Sequence, residues 1–218
     1  MSNKQLTELI FILDRSGSMH GLEADTIGGF NRVLEENRQM PGQANVTTIL
    51  FDSSSELLHD RIPVEAVRSM TEKDYRPGGM TAMLDAIGMG IRKIESVQAS
   101  LTEEYRAGHV QFVIMTDGME NASRRFSLYQ IRQMIEEHRK ADGWDFLFLG
   151  ANIDAAEVAG SMGIEEDRAV DAISDAEGVN AQFAAVCEAQ RVMRSDDIAC
   201  PRSAWKKEVL ADRKRRKK

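Results

Sequence analysis

Two stretches of this chain, residues 6–13 and 110–115, are almost continuously apolar. Neither alternates, so both read as strands buried on two faces. Residues 46–51 and 144–149 supply two more strands, and residues 169–173 a weak last one. Between them the period changes to that of a helix. Ile27, Phe30 and Leu34 share one face of residues 24–39, and Leu84, Ile87, Ile91 and Ile94 line residues 81–96. Ser127 caps a third helix with Leu128, Ile131, Met134 and Ile135 inward, and Asp154 caps a short fourth ending near Gly163. Val179, Phe183 and Val186 form the inward face of residues 177–194. The Gly28-Gly29 pair inside the first helix costs about 1 kcal/mol per glycine against alanine, which implies close packing there.

Strands alternating with helices predict an α/β, doubly wound, Rossmann-like three-layer sandwich. One departure from parallel pairing is expected. After the short turn Asp52-Ser53-Ser54-Ser55, residues 57–62 can fold back as an antiparallel edge strand, and Pro63 suits an edge. The expectation is therefore six strands, five parallel and one antiparallel.

Composition narrows the class. With 218 residues and 42% hydrophobic content the chain can bury one sizeable core. No apolar run approaches the roughly 20 residues that span a bilayer. The first residues lack signal-peptide organisation, and Ser2 stands where myristoylation requires glycine. Cys187 and Cys200 are too few for a disulfide framework, and Cys187 reads as a core residue. A cytoplasmic protein with no membrane partner is expected.

The net charge of −7 conceals an asymmetry. From Arg202 onward nine Lys/Arg face two Asp/Glu, a net of +7; the preceding residues, nineteen basic and thirty-three acidic, carry −14. An acidic body argues against nucleic acid as its main ligand, except through the tail. A like-charge block of this kind reads as solvated, and beyond about Ala211 it is expected to be mobile unless a partner orders it. Nucleic acid, anionic lipid and the acidic body itself all stay open as its target.

The candidate chemistry lies where apolar runs stop. The first ends in Asp14-Arg15-Ser16-Gly17-Ser18, with a carboxylate and two hydroxyls at alternate positions. Hard oxygen donors on a short loop suit a small hard cation. Gly78-Gly79-Met80-Thr81 precedes a helix, and Thr116-Asp117-Gly118 ends the 110–115 run. In a doubly wound sheet the crevice lies where neighbouring strands send their connections to opposite faces. If the strands ending at Asp14 and Asp117 are neighbours there, both carboxylates meet and a cation relieves their repulsion. Taken alone, the first loop is better explained by turn and helix capping; the threonine and the second aspartate reverse that balance.

Asp14-x-Ser16-x-Ser18, a threonine after Gly-Gly and Thr-Asp-Gly after an apolar strand together resemble the von Willebrand factor A domain. The resemblance covers residues 5–195, leaving 196–218 as a basic C-terminal tail. It is strongest toward small stand-alone bacterial members, including those of tellurite-resistance-type clusters. It implies a metal-ion-dependent adhesion site at Asp14, Ser16, Ser18, Thr81 and Asp117. It also implies a Mg²⁺ or Mn²⁺ ion there, and a protein partner that offers an Asp or Glu to it. The chemistry is consistent: two carboxylates only balance a divalent ion and hydroxyls add no charge, so one more anion is welcome.

Two rivals stand beside this non-enzymatic reading. One is a metal-dependent phosphohydrolase on a similar sheet, which has no phosphate-cradling glycine loop or His/Cys nucleophile pair to support it. The other is nucleic-acid binding through the tail. Met19, Met80 and Met119 each sit beside a candidate ligand, either as adaptable contact residues or as packing beneath the loops. His20 and the Arg124-Arg125 pair read as solvated, with contact to a ligand as the alternative. His59, His109 and His138 have no metal-ligand spacing with each other.

Overall fold

A computed structural model describes residues 3–194 and 202–216. Cys200, the 195/196 domain boundary and the terminal Lys217-Lys218 lie outside the described residues. Six strands form one sheet: β1 (Asn3–Asp14), β2 (Gln43–Phe51), β3 (Ser55–Pro63), β4 (Ala107–Thr116), β5 (Asp145–Ala151) and β6 (Ala169–Ala172). Their order is β3-β2-β1-β4-β5-β6. All neighbours are parallel except β2 and β3, as the short Asp52–Ser55 turn requires.

Among the described residues six α-helices cover the sheet: α1 (Glu23–Gln39), α2 (Met83–Ser100), α3 (Leu128–Ala141), α4 (Ala155–Ser161), α5 (Ala176–Arg194) and α6 (Lys207–Arg216). The continuous apolar runs split by the two-residue strand period. Leu9, Phe11 and Leu13 of β1, with Val113 and Met115 of β4, face α1, α5 and α6. Ile10 and Ile12, with Phe112 and Ile114, face α2, α3 and α4. That is why these strands carry no polar alternation, and it makes the sheet doubly wound. Cys187 is buried in the first of these layers.

Several local expectations hold, and others are corrected. Ser127 and Gln130 form a reciprocal capping box, and Asp154 accepts from the Glu157 N–H at 2.9 Å. Of the glycine pair, only Gly29 is tightly packed: a Cβ there would meet the Phe183 ring at 2.1 Å, whereas Gly28 has open space. Leu128 is exposed rather than inward, because it opens the first turn of α3 ahead of the buried Ile131. Helix α2 begins at Met83, two residues after Thr81. The Thr81 N–H is bound by the Asn121 side chain (2.9 Å), and its carbonyl by the Asn121 N–H (3.0 Å). The Ala82 N–H meets the Asp52 carbonyl at 2.7 Å.

The largest correction concerns the basic tail. Over residues 207–216 it is neither a solvated block nor the mobile segment expected beyond Ala211. Of the targets left open by the sequence, the acidic body is the one it meets. Trp205 and Val209 are buried in the α1/α5 layer, and the indole N–H donates to the Asp167 carbonyl at 3.0 Å. Arg213 pairs with Asp171 at 2.5 Å, Arg216 with Asp175, and Arg215 with Glu177 at 3.0 Å. Helix α6 thus covers β6, which is a sheet edge. No helix among the described residues is long and apolar enough to cross a membrane.

His59 of β3 is buried, stacked on Phe30 at 6.1 Å, with Nδ1 3.0 Å from the Thr48 hydroxyl. Burial, aided by the charge of Arg68 and opposed by Asp74, holds its pKa below the ordinary 6.5. The unfolded chain therefore binds a proton that the folded chain refuses. Stability is complete above about pH 6.5 and falls as pH drops from there toward the folded pKa, by at most about 1.4 kcal/mol per unit. His59→Gln is expected to flatten this part of the profile in urea unfolding between pH 5 and 7.5 with chelator present. Parallel profiles for the two proteins would contradict the assignment.

Candidate functional site

The connections of β1 and β4 leave toward opposite faces, so the crevice of this sheet opens at their carboxyl ends. Leu13 is paired with Met115, which sets Asp14 beside Thr116 at the end of the shared register. The crevice floor follows from that pairing. The Asp14 carboxylate accepts the Ser16 N–H at 2.7 Å on one oxygen and the Thr116 hydroxyl at 2.6 Å on the other. The Ser16 and Ser18 hydroxyl oxygens are 3.1 Å apart, and Ser18 donates to Asp117. The Ser18 and Thr81 hydroxyls both border Gly118, at 3.5 and 3.6 Å from the point a Cβ would occupy. All five residues that the sequence singled out therefore line one crevice. Asp14, Ser16, Thr81 and Asp117 are buried and Ser18 is exposed, so the group opens to solvent on one side.

Backbone pairing holds the loops in register. Arg15 N–H donates to Phe51, Gly78 N–H to Arg15 (2.9 Å), and Gly17 N–H to Gly79 (3.2 Å). Gly79 has φ +74°, and a Cβ there would lie 2.8 Å from Ser53 Oγ, so the turn needs glycine. The alternation of the first loop explains where its one cation goes. Arg15 points away from the crevice and is held by Asp52 (2.9 Å) and Glu56 (2.6 Å). The negative charge of the crevice is therefore left without that neighbour.

Electrostatics make the pair of carboxylates costly. Burial pushes the Asp14 carboxyl above the usual range, and the charge of Asp117 pushes the same way. Hydrogen bonds from Ser16 and Thr116 offset part of this. Two carboxylates with three neutral hydroxyls form a hard, all-oxygen set, which fits Mg²⁺ or Mn²⁺ and not a soft metal. No group of three or more His, Cys, Asp or Glu placed to hold a metal ion exists among the described residues, and here the hydroxyls supply three of the five donors.

Three contributors were not read from the sequence. Thr116 orients Asp14 (2.6 Å), Ser174 donates to the other oxygen of Asp117 at 3.2 Å, and the buried Tyr75 hydroxyl donates to the Asp14 carbonyl. Thr116 was visible in its motif but unassigned; Ser174 and Tyr75 come from loops whose approach is set only by the tertiary fold. The methionines divide: Met19 is packed beneath the loops, while Met80 and Met119 are exposed. His20 is exposed and faces Glu23 at 3.5 Å, and His138 stacks on Trp144.

No family model matches the chain, and no curated protein matches it. Solved structures do. A von Willebrand factor type A protein from Catenulispora acidiphila has a TM-score of 0.54 at 13% identity, over 88% of this chain and 43% of its own. BatB, a conserved hypothetical protein from Bacteroides thetaiotaomicron, has 0.52 at 14%, over 87% and 99%. The manganese-loaded TRAP protein of Plasmodium vivax has 0.52 at 16%, over 82% and 72%. The chain thus spans less than half of the first of these and nearly all of the second. At such identities the likeness establishes the fold, which is that of a von Willebrand factor A domain.

Proposed function

We propose that this protein is a metal-dependent protein-interaction module. It binds an Asp or Glu of a protein partner through a Mg²⁺ or Mn²⁺ ion held by Asp14, Ser16, Ser18, Thr81 and Asp117. The observation that carries the reading is the convergence of two carboxylates and three hydroxyls in one crevice open on a single side. A neighbour of the same fold is manganese-loaded, which agrees with the donor set. In this reading the aspartates supply charge balance and the hydroxyls supply neutral donors. A divalent ion so held still gains from one more carboxylate, which the exposed side admits.

The proposal is non-enzymatic: the Ser16 and Ser18 hydroxyls are engaged with each other and with the Asp117 carboxylate, and no His or Cys is hydrogen-bonded to either among the described residues. Residence in the cytoplasm belongs to the same proposal, supported by the buried free thiol of Cys187.

The test is affinity capture on the purified protein in Mg²⁺ and in chelator, followed by replacement of the recovered partner's candidate Asp or Glu with Asn or Gln. Both chelator and the correct replacement should abolish binding. Thr81→Ala should weaken the partner while sparing some metal affinity, whereas Asp117→Ala should weaken the metal more. Partner affinity indifferent to chelator and to every acid replacement would overturn the reading. So would metal-dependent hydrolysis of phosphate esters eliminated by Ser16→Ala.

A further inference from the structure

The rim of the crevice has a composition of its own. Seven large hydrophobic side chains are exposed among the described residues, and four of them, Met80, Met119, Leu128 and Tyr129, belong to segments at this end of the sheet. Met80 precedes Thr81, Met119 follows Asp117 by two residues, and Leu128-Tyr129 opens α3. Between them the 119–126 segment wraps the start of α2.

The acids of this segment and of the first turn of α2 are turned inward. Asp85 accepts the backbone N–H groups of Arg124, Arg125 and Phe126 at 2.9–3.0 Å. Glu120 accepts those of Leu84, Ala122 and Ser123 at 2.7–2.9 Å. With their peptide groups fixed in this way, Arg124 and Arg125 are exposed; the charge of Arg125 acts on Asp85, but neither guanidinium is within ion-pair distance of an acid among the described residues. In the loop between Tyr75 and Gly78, Arg76 is likewise exposed and outside any ion pair among the described residues. A body of net −14 therefore presents, beside its candidate metal site, outward arginines and adaptable apolar side chains. Guanidinium groups of this kind suit carboxylates, and methionine suits an apolar side chain of variable shape.

We propose that the partner of this site is an acidic–apolar protein segment. Besides the carboxylate offered to the metal, it seats an apolar side chain on Met80 and Met119 and pairs a second acid with Arg124 and Arg125. The inference rests on the proposed function, and its specificity elements are separate from the metal ligands. Charge complementarity at the rim selects the segment and speeds encounter; the metal anchors it.

The experiment is selection from a displayed library of random twelve-residue peptides on the wild-type protein in Mg²⁺, with elution by acid, and each recovered peptide is then tested with and without chelator. Affinities of the recovered peptides are then measured by fluorescence anisotropy. The expected peptides carry at least two acids with an apolar residue near one of them. Arg124→Ala/Arg125→Ala should weaken them on the order of tenfold while leaving the Mg²⁺-induced rise in melting temperature unchanged. Peptides with one acid, released by chelator and bound equally by the double variant, would overturn the rim proposal and leave the metal reading standing. Acidic peptides that need the arginines but ignore chelator would do the reverse. No enriched sequence would count against both. An oligothymidylate that displaces the peptides and itself depends on the two arginines would make the rim a polyanion surface and overturn the proposal.

Discussion

Trp205→Ala is expected to destabilise the protein by about 3–5 kcal/mol, the usual cost of emptying a buried tryptophan site. Trp205 is 2% exposed, packs in the same layer as α1 and α5, and gives its indole N–H to Asp167. The substitution removes both the apolar contact and the donor. Leu210, half exposed on the outer side of α6, provides the comparison: Leu210→Ala should stay within about 0.5 kcal/mol of wild type. Urea unfolding of the two variants is sufficient. Equal, small effects would mean that the basic segment does not dock in solution.

The second large effect concerns the metal. Mg²⁺ or Mn²⁺ at a hundred times its dissociation constant should stabilise the folded state by about 2.7 kcal/mol, because the ligand set exists only when β1 and β4 are paired. For a chain of this size that is a rise of roughly 5–10 °C in melting temperature. Asp14→Ala should abolish the rise. Asp14→Asn should abolish it too while its one amide oxygen still accepts the Ser16 N–H and its NH2 turns to the Thr116 oxygen as a donor, which separates lost charge from complete loss of the side chain. An Asp14→Ala protein that still responds to metal would place the ion elsewhere.

Much of this architecture was legible because the relevant signals are local. Continuous apolar runs ending in Asp14 and Thr116-Asp117 identify doubly covered strands and the end at which their loops meet. The Asp52–Ser55 turn is too short for a crossover and forces β3 antiparallel. The five candidate ligands lie in three short motifs; the adjacency of β1 and β4 that joins them was a condition of the sequence reading, and the sheet order meets it.

What was missed is non-local. Tyr75 and Ser174 reach the crevice from loops with no motif, one against the Asp14 carbonyl and one against Asp117. The docking of α6 was hidden by its charge. Trp205, Val209 and Asp212 form a buried stripe at helical spacing, but nine basic residues from Arg202 onward dominate the sequence signal. The acids that neutralise them, Asp171, Asp175 and Glu177, sit some forty residues earlier. The start of α2 was misplaced for a similar reason: Thr81 has good helix context, but its peptide groups are taken by Asn121 across the crevice.

The central claim is that Asp14, Ser16, Ser18, Thr81 and Asp117 hold one divalent ion. The most direct measurement is an anomalous difference map from crystals grown with Mn²⁺, collected at the manganese edge. The account predicts a single strong peak bounded by those five side chains, absent from crystals of Asp14→Ala grown in the same solution. A map with no peak between Asp14 and Asp117, or with manganese only on the acidic surface, would contradict it.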